Sequence, residues 1–160
     1  MPVPQFVVRP AATGDARAMA ELFAAVAEER DAIATEPPVE VEERAALFAR
    51  TAAGTVVAVA GGRVVGLLHV DVSPHGFGEF GMLVDRDWRG RGAGSALLRA
   101  TIEWARGQGL HKLCLEVFVH NSAAIALYRK YGFMEEGRRV KQYRRGSGEL
   151  WDSIVMGLLL

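Results

Sequence analysis

A glycine-rich, arginine-bearing turn is the most chemically distinctive stretch of this sequence. Arg89, Gly90, Arg91, Gly92, Ala93, Gly94 and Ser95 follow an apolar run, Phe80 to Val84, and lead into an amphipathic one, Ser95 to Ala105. A strand therefore feeds a turn, and the turn feeds a helix. Glycines let backbone N–H groups converge on one point, and the helix N-terminus adds partial positive charge there. Arg89 and Arg91 bring forked donors suited to phosphate oxygens. These residues read as an anion cradle, most naturally for a pyrophosphate. The pattern is not a P-loop, which needs Lys and then Ser or Thr after its glycines. It is not a dinucleotide fingerprint either: Ser95 stands where the third glycine belongs, and the loop lies past mid-chain.

Two carboxylates and a phenol are the candidates for moving protons. Leu113, Leu115, Val117 and Val119 alternate on one strand face and leave Cys114, Glu116 and Phe118 on the other. A carboxylate in mid-strand, where both faces are normally covered, needs a partner or a task. Partial burial raises its proton affinity and suits Glu116 to act as a general base; the structural alternative is a salt bridge or a solvated edge. Glu79 competes with it, acting through a water or holding an ammonium, against the plain reading of a polar strand end beside a glycine turn. Tyr128 can donate a proton or a hydrogen bond while neutral, although Ile125, Leu127, Tyr128 and Tyr131 also share the spacing of a packed helix face. Asn121 fits an N-cap for that helix. His69, His75, His111 and His120 have no metal-ligand spacing, and His120 reads as a loop residue beside the cap. No metal site is expected.

The elements that must position these groups follow from periodicity and punctuation. Phe6 to Arg9 reads as a first strand, and Thr13 as the N-cap of a helix with Met19, Leu22, Phe23 and Val26 on its apolar face. After the break at Glu36-Pro37-Pro38, a second helix is predicted from about Glu40 to Ala52. The segment between the two helices borders a substrate pocket or merely connects them. Thr55–Ala60 and Arg63–Asp71 form a hairpin on Gly61-Gly62, and a turn at Ser73–Gly78 leads to the strand ending at Val84. The long helix spans Gly92 to Gln108 and stops at Gly109. A strand from Lys112 to Val119, a helix from Ser122 to Lys130, and two closing strands, Met134–Tyr143 and Leu150–Leu158, complete the chain. One mixed α/β sheet in a single domain, residues 1–160, is the expected result.

Composition narrows the partners. The 160 residues carry 19 basic and 19 acidic side chains, but the first 80 hold 6 basic against 11 acidic and the last 80 hold 13 against 8. A polyanionic cofactor held by the second half suits that asymmetry. Nucleic acid does not, because the chain is neutral overall and lacks an aromatic-basic stripe. One cysteine, Cys114, rules out an internal disulfide, and its apolar strand suggests a buried, inert thiol. No run has the length of a membrane span or the form of a signal peptide, so a cytoplasmic protein is expected.

The cradle and the helix after Asn121 together resemble the GCN5-related N-acetyltransferase (GNAT) family over nearly the whole chain, from about residue 5. Arg89, Gly92 and Gly94 match its Arg/Gln-x-x-Gly-x-Gly/Ala motif. Asn121, Ala124, Leu127, Tyr128, Gly132 and Phe133 match its Asn-x-x-Ala-x-x-Leu-Tyr-x-x-x-Gly-Phe motif. The resemblance implies one central mixed sheet of about seven strands flanked by about four helices. It implies acetyl-CoA as co-substrate, with residues 89–95 on its pyrophosphate and the backbone of Met82, Leu83 and Val84 paired with its pantetheine arm. Asn121, Ala124 and Tyr128 would lie near that arm, Glu116 or Glu79 would be the base, and Tyr128 the acid.

Leu115-Glu116-Val117 is similar to the ribosomal-protein alanine N-acetyltransferases, in which that Glu is the base. The tail, with Tyr143, Trp151 and Asp152, resembles bacterial enzymes acting on small amines and amino acids. A small primary amine is therefore the expected acceptor, its carboxylate clamped by one of Arg138, Arg139, Arg144 or Arg145. A protein N-terminal or lysine acetyltransferase is the alternative activity, and a non-catalytic acyl-CoA sensor the alternative class. A nicotinamide oxidoreductase is disfavoured by the loop. A monomer or homodimer is expected, with no nucleic-acid or membrane partner.

Overall fold

The computed structural model describes residues 5–160. Seven strands form one sheet in the order β1-β2-β3-β4-β5-β7-β6: β1 Val7–Pro10, β2 Thr55–Ala60, β3 Arg63–Val72, β4 Phe77–Val84, β5 Lys112–Phe118, β6 Met134–Arg144 and β7 Leu150–Leu159. Four α-helices are present among the described residues: α1 Ala16–Glu28, α2 Val41–Arg50, α3 Ala93–Gly107 and α4 Ser122–Lys130. The mixed α/β architecture is thus the expected one.

The two faces of the sheet are covered by different helix pairs. On one face α1 and α2 enclose Met19, Leu22, Val26 and Phe48 with Val57, Leu67 and Leu83. On the other, α3 and α4 enclose Leu97, Leu98 and Tyr128 with Leu68, Val70, Phe80, Leu113, Leu115 and Met156. The period-2 alternation of the central strands makes this division, sending Leu113, Leu115 and Val117 to the α3–α4 side and Cys114, Glu116 and Phe118 to the other.

Helix ends follow local chemistry. Gly92, the N-cap of α3, has φ +88°, and Gly109 beyond its end has φ +73°, a region where only glycine is unstrained. Asn121 caps α4, its side chain accepting from the Ala124 N–H at 3.3 Å. Thr13 does not cap α1 as expected. It lies in a short 3-10 turn, Thr13–Asp15, where the Asp15 carboxylate accepts from the Ala12 N–H at 2.7 Å and pairs with Arg9 at 2.8 Å. Asp15 is the better acceptor because it is charged and Arg9 holds it in place.

The feature that shapes the site is a fork. β4 runs antiparallel to β3 from Gly78 to Val84, but parallel to β5 only across Phe77↔Lys112, Gly78↔Leu113 and Glu79↔Cys114. A Cβ on Gly78 would stand 2.6 Å from Val70 and 3.1 Å from Leu113, so glycine permits the close approach at the root. Phe80, the next residue, turns onto Tyr128 and Phe133, with ring centroids 5.8 and 5.7 Å away. Beyond that point β5 pairs with β7 alone.

Candidate active site

A cleft of about 860 Å³ opens through the fork and joins the two faces of the sheet. Gly81, Met82, Leu83 and Val84 line it from β4, and Glu116, Val117 and Phe118 from β5. Past Glu79 the β4 backbone has a ladder on its β3 side only. An extended chain of amides laid in the fork would meet unpaired backbone donors and acceptors there.

At one end lies the N-terminus of α3. Arg89, Gly90, Gly92, Gly94 and Ser95 border the cleft, together with Trp88. Gly90 has φ +72°. A Cβ on Gly94 would meet Leu127 at 3.2 Å and Met82 at 3.6 Å, so its role is to let α3 approach α4 and β4. Ala93 is buried beneath them. Arg91 stacks over Trp88 at 4.9 Å and donates to Gln5 Oε1 at 3.1 Å. Arg89 is turned away from the α3 N-terminus. Its two terminal nitrogens grip the Glu29 carboxylate at 2.7 and 2.8 Å, and Nε donates to the Val84 carbonyl.

The sequence candidates for proton transfer meet at the fork from opposite faces. Glu116 reaches toward the α1–α2 side. Its Oε1 accepts from Tyr143 Oη at 2.9 Å and Ser153 Oγ at 2.5 Å, with Arg139 Nε 3.7 Å away. All three contacts fall on one oxygen, which orients the carboxylate while Oε2 receives no hydrogen bond from the described residues. Burial and the bond to Glu116 push the Tyr143 phenol upward, so it stays a donor. On the α3–α4 side, Tyr128 lies 5 % exposed among Phe80 and Phe133 and still borders the cleft, and burial drives its phenol well above the ordinary value. Asn121 and Ala124 border the same wall.

Glu79 stands at the root of the fork, exposed, with its Cα paired to Asp71 on β3 and Cys114 on β5. Cys114 is half-buried, short of the full burial expected. Its thiol donates weakly to the Gly78 carbonyl and is raised by desolvation, which keeps it unreactive.

Of the two readings open for the segment between the first helices, the structure supports the pocket border, and it adds supports that the sequence did not indicate. The α1–α2 connection borders the cleft through Asp31, Ala32, Ile33 and Ala34. Arg145, 4 % exposed, holds it there: Nη1 donates to the Ala34 carbonyl at 2.9 Å, and the guanidinium lies 4.3 Å from the Trp151 ring. Glu36 accepts from the Gly146 N–H at 2.7 Å, and His120, stacked on Phe118, reaches Asp31 at 3.0 Å. Asp152 instead pins a bulge in β6, accepting from Arg138 and from the Lys141 N–H at 2.7 Å. His69 and Asp71 also face the cleft, from β3.

The profile of the acetyltransferase (GNAT) family matches residues 18–133, which include α1, the fork, the glycine-rich turn and α4. The chain belongs to that family. It is an acyltransferase with the GNAT fold. The L-amino acid N-acetyltransferase AaaT of Escherichia coli K12 is 34% identical over 160 residues, covering 95% of this chain and 96% of that protein. An L-methionine sulfoximine/L-methionine sulfone acetyltransferase of Pseudomonas aeruginosa is 38% identical over 116 residues, 67% of each chain. The crystal structure of a ribosomal-protein-alanine N-acetyltransferase from Brucella melitensis superposes with a TM-score of 0.87 at 28% identity, covering 96% of this chain and 99% of that one. No helix among the described residues is long and apolar enough to cross a membrane, and none of their His, Cys, Asp and Glu side chains group to hold a metal.

Proposed function

We propose that this GNAT enzyme transfers the acetyl group of acetyl-CoA to the α-amine of an amino acid or a similar small primary amine. The placement of Glu116 and Tyr128 on opposite sides of the β4–β5 fork carries the reading. A pantetheine arm laid along Met82, Leu83 and Val84 puts its thioester between a proton acceptor on one face and a hydroxyl donor on the other. The pyrophosphate rests on the α3 N-terminus, on the backbone N–H groups of residues 90–95 and on Arg91.

The amine enters from the α1–α2 side as an ammonium, and Glu116 removes a proton. Nitrogen attacks the thioester carbon, and the tetrahedral adduct collapses with cleavage of the C–S bond, the nitrogen's second proton passing to the thiolate and the first leaving Glu116 for solvent. Tyr128 donates to the departing sulfur. The same burial that raises its phenol opposes a phenolate, so it acts as a hydrogen-bond donor to the developing thiolate and keeps its own proton. The similarity to AaaT over 95% of this chain supports a free amino acid as acceptor, and the α1–α2 connection that borders the cleft through Asp31–Ala34 agrees with it.

A thiol-release assay with acetyl-CoA across amino acids, polyamines, aminoglycosides and short peptides tests the proposal. Turnover with amino acids exceeding that with peptides is the expected result. Activity on peptides with a free N-terminus and none on amino acids would replace it with the protein-modifying reading.

A further inference from the structure

Three residues form a row across the sheet at the fork. His69 on β3 lies opposite Gly81 on β4. Glu79, two residues before Gly81, lies opposite Cys114, two residues before Glu116. Gly81 and Glu116 therefore stand at one level on either side of the opening, and all three residues present to the α1–α2 face. One strand spacing plus the width of the opening therefore separates His69 from Glu116. Nothing fills the gap between them, for a Cβ on Gly81 would meet no atom within 4 Å.

The His69 ring is held from both ends. Nδ1 lies 2.7 Å from Thr55 Oγ1, and Nε2 lies 3.0 Å from Asp71 Oδ1. A carboxylate only accepts, so Nε2 bears a hydrogen whichever way the threonine hydroxyl turns. If that hydroxyl donates to the Thr51 carbonyl, 3.0 Å away, both ring nitrogens donate and the ring is a cation. If it donates to Nδ1, the ring is neutral with its hydrogen on Nε2. Either arrangement aims one N–H at a carboxylate on the cleft wall. That carboxylate is loosely placed: the Asp71 side chain is 85% exposed, against 21% for His69.

We infer that His69 reads the carboxylate of the acceptor, which binds as an α-amino acid with its amine at Glu116 and its carboxylate on His69 Nε2 in place of Asp71. This rests on the reading of Glu116 as the base. An amine and a carboxylate joined through one carbon, with a hydrogen bond at each end, span roughly 9 Å, a reach suited to a ligand held between side chains on the two walls of the opening. The side chain would then lie against Phe23, Val26, Phe48 and Leu67, an apolar wall of the same cleft. The arginines expected to clamp this carboxylate are committed otherwise: Arg138 holds Asp152, Arg145 holds the α1–α2 connection, and Arg139 approaches Glu116. Arg144 does not border the cleft.

The test compares L-leucine, L-methionine and L-phenylalanine with their carboxamides as acceptors. The wild type is expected to favour each acid over its amide by about 10-fold or more in kcat/KM, the size of a charge-assisted hydrogen bond. His69→Leu should erase most of that preference while acetyl-CoA Kd holds, and His69→Gln, which keeps an N–H donor, should restore part of it. Asp71→Asn should lower KM for the acids by removing the competing carboxylate. A folded His69→Leu variant that keeps the preference would overturn the assignment. So would an Asp71→Asn variant with raised KM for both acids and amides, since Asp71 would then hold the ammonium. Loss of the preference in Arg139→Gln alone would move the role to that arginine. Turnover of polyamines or peptides by a wild type inert toward all three amino acids would instead refute the acceptor reading on which this rests.

Discussion

Arg89 grips Glu29 with both terminal nitrogens, at 2.7 and 2.8 Å, across the boundary between the glycine-rich turn and the C-terminus of α1. Glu29 is the C-cap of that helix, where the macrodipole is unfavourable to a carboxylate. Arg89 offsets the conflict and holds the Glu29 carboxyl below its ordinary value. The pair fixes the point from which the α1–α2 connection departs over the cleft.

Stability should therefore carry a pH signature at Glu29. Its pKa is lower in the folded chain than in the unfolded one, so the contribution is complete above the ordinary carboxylate range and disappears as pH falls through the folded value. The half-exposed guanidinium keeps the effect modest, about 1 kcal/mol, or about 2–4 °C in Tm. Glu29→Gln should lie below wild type by that margin at pH 7 and converge with it in acid. A gap that is independent of pH in thermal melts would show that the carboxylate charge is not the cause.

The two arginines of the turn should separate in cofactor binding. Among the described residues Arg91 is held by the Trp88 ring and Gln5 alone, so it can turn to a phosphate at little cost. Arg91→Ala should weaken acetyl-CoA binding by about 10-fold or more with little change in Tm. Arg89→Ala should lower Tm first. Calorimetry that finds the larger affinity loss in Arg89→Ala would return the phosphate role to that residue.

The glycines fail for different reasons. At Gly92 nothing obstructs a side chain, and the difficulty is the positive φ; at Gly94 a side chain meets Leu127 at 3.2 Å. Gly92→Ala should cost stability without closing the cleft, by about 1 kcal/mol or more. Gly94→Val should push α3 from α4 and reduce cofactor affinity as well. Thermal melts paired with acetyl-CoA titrations distinguish the two patterns.

Glu116→Gln should keep acetyl-CoA affinity and lower kcat by about 10²–10⁴-fold. Tyr143 and Ser153 still have an amide oxygen to donate to, so the side chain should keep its orientation. Glu79, exposed at the root of the fork, is expected to matter less. A Glu79→Gln variant with the larger loss of kcat would reverse the order.

Local signals were legible in the sequence wherever one residue decides the outcome. Asn121 and the apolar spacing after it define α4 from Ser122 to Lys130, and the alternation around Glu116 gives its face correctly. Thr13 misleads because the Asp15 carboxylate, two residues on, accepts from the Ala12 N–H and closes a 3-10 turn over Thr13–Asp15, which moves the start of α1 to Ala16. Arg145 was invisible as a support, since its partners lie more than 100 residues away and the alternation of β6 alone says nothing about a turn folded over the sheet. The same limit hides the His69–Gly81–Glu116 row, which exists only through the register of three strands.

Tyr128→Phe offers the sharpest separation of packing from chemistry. The ring sits edge-on to Phe80 and Phe133, and phenylalanine keeps both contacts, so Tm should move little. The hydroxyl makes no hydrogen bond to the described residues and the residue borders the cleft, so its loss should appear in kcat, by about 10-fold or more, with acetyl-CoA Kd held. The pH dependence has a definite sign. Burial raises the phenol above its ordinary 10.0, so Tyr128 stays protonated throughout the working range and adds no alkaline limb below that pH. Any alkaline fall in the wild-type profile near neutrality must then belong to another group and should survive in Tyr128→Phe. Its disappearance from the variant would mean that the phenol ionises in the working range, and the donor role assigned to it would be wrong.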